Sequence, residues 1–319
     1  MPLHASARRI RVGSRLEWVL ESGQFAVTTE IAPPASSDPE GIRKIAGMFR
    51  GNVDACNVTD GQRALVRMSS LAASVLALGE GLEPIMQLTL RDRNRIALQA
   101  DLLGASALGV RAVLCLWGDD PKVGNEKDAK GVYDLKTEEM IAMFRNLRDA
   151  GTLRGGDSVE APPKLLIGAA ANPLGGSLEQ AFANLRGKVE AGADFVQTQA
   201  IFDMDSFEEW MRLVRKEWLH ERVHILAGVI PLKSPKMAHF LAEKVPGIVI
   251  PPDILARMEK APDSKAEGLS IALRTIKALR KVEGVRGIHV MAVGWDEIVP
   301  TIVKQAGLLP RPPVPVGPL

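Results

Sequence analysis

The strongest constraint on this chain is a regular alternation of short apolar runs and longer amphipathic stretches. Eight such runs occur, each followed by a segment with the apolar spacing of a helix. The runs show little polar alternation, which is typical of parallel strands covered on both faces. They lie at residues 25–31, 53–58, 84–89, 111–116, 164–169, 194–198, 223–227 and 287–291.

The intervening segments carry helix boundary signals. One predicted helix begins with Asp38 as the N-cap, Pro39 at the first helical position and the acidic Glu40 in the first turn. Residues 177–180 (SLEQ) resemble a capping box at the start of another helix. A closed (β/α)8 barrel has eight βα units, which matches the count in this sequence. A doubly wound open sheet usually has five or six strands, so at least two of the predicted strands would have no place in it. We therefore predict a single α/β TIM barrel over residues 1–309, with an extra N-terminal helix and an extended proline-rich tail at 310–319.

Composition narrows the class of protein. The 319 residues are 46% hydrophobic, which excludes general disorder, and 40 basic against 38 acidic residues give a net charge of +2. That balance, with only 4% aromatic residues, argues against nucleic acid as a partner. The sequence has neither an apolar stretch long enough to span a bilayer nor a secretory signal pattern. We expect a cytoplasmic protein that binds no membrane.

Cysteine metal motifs and the usual nucleotide motifs are missing from the sequence. The two cysteines lie far apart and cannot supply a zinc or iron–sulfur site by themselves, and we predict no metal site. Cys56 and Cys115 fall inside predicted strands and are expected to be buried and unreactive. His289 also lies inside a strand, where a hydrogen-bonded structural histidine is the simplest expectation. Neither GxGxxG nor a P-loop is present.

The residues that close the predicted strands are the candidates for chemistry. In a (β/α)8 barrel the active site lies at the C-terminal ends of the strands. Glu30 ends the first run, where partial desolvation should raise its pKa and make it a proton donor near neutral pH. The long polar connection at 119–135 is expected to be a lid or binding loop. The other strand-end candidates are Thr59, Asp60, Gln87, Thr89, Gly118, Asp119, residues 170–172, Gln199 and Gly228.

Several sequence blocks at these positions resemble the methylenetetrahydrofolate reductases, which are flavin-dependent (β/α)8 barrels. The blocks occur in family order from about residue 12 to 309. Each block alone is weakly specific, and their order makes the combined resemblance strong. They are 28–34 (TTEIAPP), 57–61 (NVTDG), 87–89 (QLT) with 92–94 (DRN), 116–121 (LWGDDP), 168–173 (GAAANP), 188–194 (KVEAGAD), 197–199 (QTQ) with 202–203 (FD), 228–231 (GVIP) and 287–289 (GIH).

This resemblance implies a reaction and a role for each matching residue. The reaction is reduction of 5,10-methylenetetrahydrofolate to 5-methyltetrahydrofolate, with hydride from flavin N5. Glu30 matches the proton donor to folate N10, Asp119 a second catalytic residue near flavin and pterin, and Gln199 a folate contact. The cofactor, FAD or alternatively FMN, would be held by Thr59, Gln87, Trp117, Gly118, Asp119, Ala170, Asn172 and Lys188.

The chain also departs from the family pattern, which indicates a divergent branch. Trp117 replaces an Arg, Gln87 a His and Asn172 a Tyr that many relatives carry. These changes fit a branch in which an iron–sulfur or zinc partner subunit supplies electrons, so the donor is either NAD(P)H or such a subunit. We also expect an oligomer. Two other functions stay open: non-redox methyl transfer of the corrinoid-linked kind, and a catalytically silent scaffolding subunit.

Overall fold

A computed structural model describes residues 10–313 and shows a closed barrel of parallel strands, which confirms the predicted (β/α)8 fold. Each strand pairs with the next in sequence order, and the last pairs with the first through Val27↔Ile288 and Thr28↔His289. Closure brings all strand C-termini to one mouth. The strands are β1 Ala26–Ile31, β2 Ala55–Val58, β3 Pro84–Thr89, β4 Ala112–Leu116, β5 Leu166–Ala171, β6 Phe195–Ala200, β7 His224–Val229 and β8 Val285–Val290.

Helices surround the barrel and cover its outer face. The β7–β8 connection contains three α-helices, more than any other connection between consecutive strands. Within residues 10–313 the helices are α1 Arg15–Glu21, α2 Glu40–Phe49, α3 Ser70–Gly79, α4 Arg95–Ala107, α5 Thr137–Asp149, α6 Leu178–Ala191, α7 Met204–Lys216, α8 Pro235–Lys244, α9 Pro252–Lys260, α10 Ser264–Leu279 and α11 Ile298–Gln305. None of the helices in this described part is both long and apolar enough to cross a membrane.

Two of the three apolar clusters among the described residues follow from the strand pattern. Outward-facing strand residues pack against the helices, and a smaller cluster fills the barrel interior. Phe195 is fully buried in that interior, where a Cβ at position 168 would lie 2.2 Å from its ring. A side chain at position 168 would clash with the Phe195 ring, so the ring fits only because this residue is glycine.

The predicted N-terminal helix, α1, closes the bottom of the barrel. Leu16, Val19 and Leu20 are buried against the interior cluster. The Glu17 carboxylate accepts hydrogen bonds from the backbone nitrogens of Arg11, Val12 and Gly13 at 2.7–2.9 Å. This end is closed, so the mouth at the other end is the open face of the barrel.

The start of the proline-rich segment packs at the bottom of the barrel. Arg311 is buried and forms an ion pair with the buried Asp54, which Arg15 also contacts at 3.2 Å. Arg311 also donates to Phe25 O at 2.7 Å. The rest of the predicted tail, residues 314–319, lies outside the described residues.

Candidate active site

The C-terminal ends of the strands enclose a cavity of about 820 Å³, a size suited to small molecules or cofactors. All ten residues that the resemblance assigns to the site line this one cavity. Nine of them lie in β1 to β6 or directly after one of these strands, and Lys188 comes from α6. They are Glu30, Thr59, Gln87, Trp117, Gly118, Asp119, Ala170, Asn172, Lys188 and Gln199.

Glu30 is the penultimate residue of β1 and points into the cavity, with 16% of its side chain exposed. Burial, and secondly the negative charge of Asp296, raise the pKa of Glu30 to about 7. The carboxyl group is thus about half protonated at pH 7 and largely protonated below it. The structure agrees with the sequence-based prediction of a raised pKa for this carboxyl.

A buried polar network lies beside Glu30. His289 Nε2 is 4.0 Å from Glu30 Oε2, and its Nδ1 is 3.0 Å from Thr28 Oγ1. Gln197 Nε2 donates to Thr28 Oγ1 at 3.1 Å and to Asn57 Oδ1 at 3.0 Å. Burial lowers the pKa of His289 to about 3, so its imidazole is neutral at physiological pH.

The sequence reasoning missed Asn57, Gln197 and the contact of His289 with the site. A signal was present, since alternate residues of a strand point to the same side. Thr28, Asn57 and Gln197 each stand two residues before a predicted site residue: Glu30, Thr59 and Gln199, respectively.

Asp119 begins the long β4–α5 connection and is exposed at the mouth. Its Oδ2 accepts from Arg63 N at 2.7 Å, and its backbone oxygen accepts from Tyr133 Oη at 3.2 Å. The Tyr133 ring stacks on Trp117 with centroids 4.7 Å apart. The connection therefore folds back on the cavity edge.

Gly118 precedes Asp119 in a left-handed conformation with φ of 92°. A Cβ there would lie 2.9 Å from Arg91 Cβ and 3.0 Å from Thr89 Cβ. Both the backbone angle and the close packing favour glycine. Thr89 is in turn held by Asp60, whose Oδ2 accepts from its backbone nitrogen at 2.9 Å and from Arg93 at 2.6 Å.

The side of the cavity formed by β5 and α6 carries a buried cation. Lys188 Nζ donates to Ala170 O at 2.7 Å and to Asn184 Oδ1 at 2.6 Å. Burial lowers the pKa of Lys188, against the smaller opposing effect of Glu138. Asn172 Oδ1 is buried with no hydrogen-bond partner among the described residues. This side therefore offers both a cation and an unused acceptor.

Gln199 and the two cysteines complete the sequence-based assignments. Gln199 lies in β6, with its Oε1 accepting from Ala200 N at 3.0 Å. Cys56 and Cys115 are buried as predicted, and burial raises the pKa of both thiols, which disfavours a reactive thiolate. Within residues 10–313, no group of three His, Cys, Asp or Glu side chains could hold a metal ion.

A closed parallel barrel with a buried acid, a buried lysine and carboxamides around one mouth defines the chain as an α/β-barrel enzyme. The more specific class follows from the family model for methylenetetrahydrofolate reductase, which matches residues 15–307. The chain belongs to the methylenetetrahydrofolate reductase family, a family of oxidoreductases, which confirms the resemblance found in the sequence.

Individual relatives have low sequence identity to this chain but align over most of its length. The chain is 27% identical over 315 residues to a probable NADPH methylenetetrahydrofolate reductase of Caenorhabditis elegans, covering 92% of this chain and 44% of that protein. It is 25% identical over 299 residues to 5,10-methylenetetrahydrofolate reductase of Escherichia coli, covering 90% and 93%. The chain thus spans less than half of the first relative and most of the second.

Solved structures support the same fold. An uncharacterized Clostridium thermocellum protein that binds two copies of 5-methyl-5,6,7,8-tetrahydrofolic acid matches with a TM-score of 0.64 and 14% identity, covering 93% of this chain and 100% of that one. An F420-dependent secondary alcohol dehydrogenase matches with a TM-score of 0.53 and 12% identity, covering 88% and 98%. At such low identity these matches describe the barrel alone.

Proposed function

We propose that this chain reduces 5,10-methylenetetrahydrofolate to 5-methyltetrahydrofolate with a bound flavin, and that Glu30 is the proton donor. The observation that carries the proposal is a buried carboxyl of raised pKa in one cavity with Asp119 and Gln199. Family membership supports the substrate class. The folate-binding neighbour supports it as an analogy only.

The cavity fits a flavin chemically. Lys188 supplies positive charge for a phosphate or an electron-rich ring edge, and Asn172 Oδ1 offers an acceptor for an N–H or hydroxyl group. When bound, the flavin would supply the hydride. Residues that would hold it are Thr59, Gln87, Trp117, Gly118, Asp119, Ala170, Asn172 and Lys188, and either FAD or FMN meets these requirements.

Glu30 would act by moving one proton. The proton leaves its carboxyl group for folate N10, and the bond between N10 and the bridging carbon then breaks, which leaves that carbon electrophilic. A carboxyl with a pKa of about 7 holds the proton near neutral pH and also releases it readily. Proton transfer catalysis of this kind contributes about 10²–10⁴-fold to rates.

Asp119 and Gln199 would position the folate. The Asp119 carboxylate is exposed at the mouth and can stabilise positive charge on the pterin as it develops, once bound folate covers it and excludes water. Gln199 has its oxygen engaged by Ala200 N, which leaves its Nε2 as the group for a pterin acceptor.

The electron donor of this chain is proposed as NAD(P)H or an iron–sulfur or zinc partner subunit. The indole of Trp117 is half exposed at the cavity edge, at a position where many relatives carry an Arg. An aromatic face accepts a planar ring, while it lacks the charge that would pair with a phosphate. Reduction tested separately with NADH, NADPH and an artificial donor distinguishes these sources.

A non-redox methyl transferase is the second candidate. The changes at Trp117, Gln87 and Asn172 favour it, because a barrel could keep its pterin site and abandon the flavin. Methyl transfer from 5-methyltetrahydrofolate to a corrinoid acceptor, without any redox change, would support this function. Reduction of methylenetetrahydrofolate by reduced viologen would exclude it as the main activity.

The direct experiment is reconstitution of the purified protein with FAD and, separately, FMN. We expect a yellow protein whose reduced form is reoxidised by methylenetetrahydrofolate. A protein that binds neither flavin overturns the proposal.

A further inference from the structure

The hydrogen bonds of the polar network beside Glu30 have defined donors and acceptors. Asn57 Nδ2 donates to Gln197 Oε1 at 2.7 Å, and Gln197 Nε2 donates back to Asn57 Oδ1 at 3.0 Å. This reciprocal pair engages the Gln197 oxygen. The second N–H of Gln197 therefore points at Thr28 Oγ1, 3.1 Å away. All three side chains are almost fully buried, so water does not compete for these bonds.

The pairing favours one position for the proton on His289. With one lone pair of Thr28 Oγ1 occupied by Gln197, its hydroxyl hydrogen can go to His289 Nδ1 at 3.0 Å or to Ile288 O at 3.3 Å. The shorter contact is to Nδ1. A hydroxyl that donates to Nδ1 requires a lone pair there, so the proton of the neutral ring is on Nε2. That nitrogen faces Glu30 Oε2.

We propose that Thr28 and Gln197, with Asn57, are positioning residues that hold His289 in its Nε2–H tautomer, so that it donates to Glu30 as that group becomes a carboxylate. The role in catalysis rests on the proposed function. The proton given to folate N10 comes from Glu30, and His289 keeps its own throughout. A donor that gains strength as negative charge develops stabilises the transition state more than the ground state.

The apo distance of 4.0 Å is longer than a hydrogen bond. Catalytic hydrogen bonds are often long in apo structures and tighten in the substrate complex. The charge of Asp296, in the segment after β8, raises the pKa of Glu30, and Glu297 and Lys233 act in turn on Asp296. The other titratable neighbours of Glu30 are His289 of β8 and Cys56 of β2, whose own pKa is raised by Glu30. The variants below leave these groups in place, so they report on the tautomer of His289.

Thr28 and Thr29 offer a matched pair for the test. Both are buried threonines of β1 whose hydroxyls contact backbone oxygens of β8, but only Thr28 contacts His289. Nitrogen NMR of ¹⁵N-histidine-labelled apoprotein should show the Nε2–H tautomer for His289 in wild type, Thr29→Val and Thr28→Ser. Thr28→Val should give a mixture of tautomers. An Nδ1–H form in wild type, or equal spectra for both valine variants, overturns the inference.

Kinetics test the catalytic part. In Thr28→Val, the rate of folate reduction by reduced flavoprotein should fall about tenfold, and the apparent pKa of that step should rise because the carboxylate loses its donor. Thr28→Ser should restore both, which a merely structural effect would not do. A rate and a pH profile in Thr28→Val equal to those of Thr29→Val overturn the role of His289. Failure of folate reduction in wild type as well overturns the proposed function, while the NMR result still decides the tautomer.

Discussion

The backbone nitrogen of Arg63 donates a 2.7 Å hydrogen bond to Asp119 Oδ2 and so ties the β2–α3 connection to the β4–α5 connection. Arg63 and Ala64 adopt φ of 60° and 52°, a left-handed conformation that is costly for residues with a Cβ. Val66 N adds a 2.9 Å bond to Asn125 Oδ1. The two loops therefore hold each other, and Asp119 lies where they meet.

Gly124→Ala should disrupt this loop contact without unfolding the barrel. A Cβ at this position would lie 1.9 Å from Ala64 O, so one loop must move. We expect folate affinity to fall severalfold, with little change in the melting temperature. Binding titrations and thermal unfolding measure the two effects. Gly104→Ala, at a position with open space for a Cβ, is the control. Unchanged affinity in Gly124→Ala would contradict the role of the contact.

Asp119→Asn should weaken folate binding and slow folate reduction, each by roughly tenfold, because the amide keeps the shape but loses the negative charge. The Arg63 N–H can still donate to the amide oxygen, so the loops should remain joined. Stopped-flow half-reactions and folate titrations measure this variant. Wild-type values for both would remove Asp119 from the site.

Lys188→Met should lower flavin affinity by at least about tenfold, equivalent to about 1.4 kcal/mol. Stability should change little, because the relief of removing a buried charge is offset by the loss of the hydrogen bonds to Ala170 O and Asn184 Oδ1. Lys216→Met, on the exposed side of α7, is the matched control and should leave flavin binding unchanged. Equal flavin affinity in both variants would show that Lys188 does not contact the cofactor.

The raised pKa of Glu30 also predicts a pH-dependent stability difference. Its folded-state pKa is about 7 against an ordinary value of 4.5, so the folded protein binds this proton more tightly than the unfolded chain does. Stability from this group is full below about pH 4.5 and lost as the pH rises through 7. Glu30→Gln should therefore be more stable than wild type at pH 8, by up to about 3 kcal/mol, and nearly equal at pH 4. Urea unfolding at both pH values measures the difference, and equal stabilities at pH 8 would contradict the burial of an ionisable Glu30.

The sequence predicted the barrel because its signal is local and repeated eight times. Glu30 was also predictable, since an acid that closes an apolar strand is desolvated in any such barrel. Strand ends were less predictable: β5 continues two residues beyond the predicted run, to Ala171, because Ala171 pairs with Thr198 of β6. The tertiary partners of Glu30 could not be read from the sequence. Asp296 and His289 reach it only because β8 closes against β1.

The measurement that tests the central claim most directly is a pair of half-reactions for Glu30→Gln. The substitution keeps the shape of the side chain and removes its transferable proton. Oxidation of the reduced flavoprotein by methylenetetrahydrofolate should slow by about 10²–10⁴-fold, while reduction of its flavin by an artificial donor keeps the wild-type rate. Glu83→Gln is the control, because the pKa of Glu83 is also raised to about 7 but its carboxylate accepts from Arg15 N and Leu16 N at the closed end of the barrel. Wild-type rates for both half-reactions in Glu30→Gln would contradict the assignment of Glu30 as proton donor.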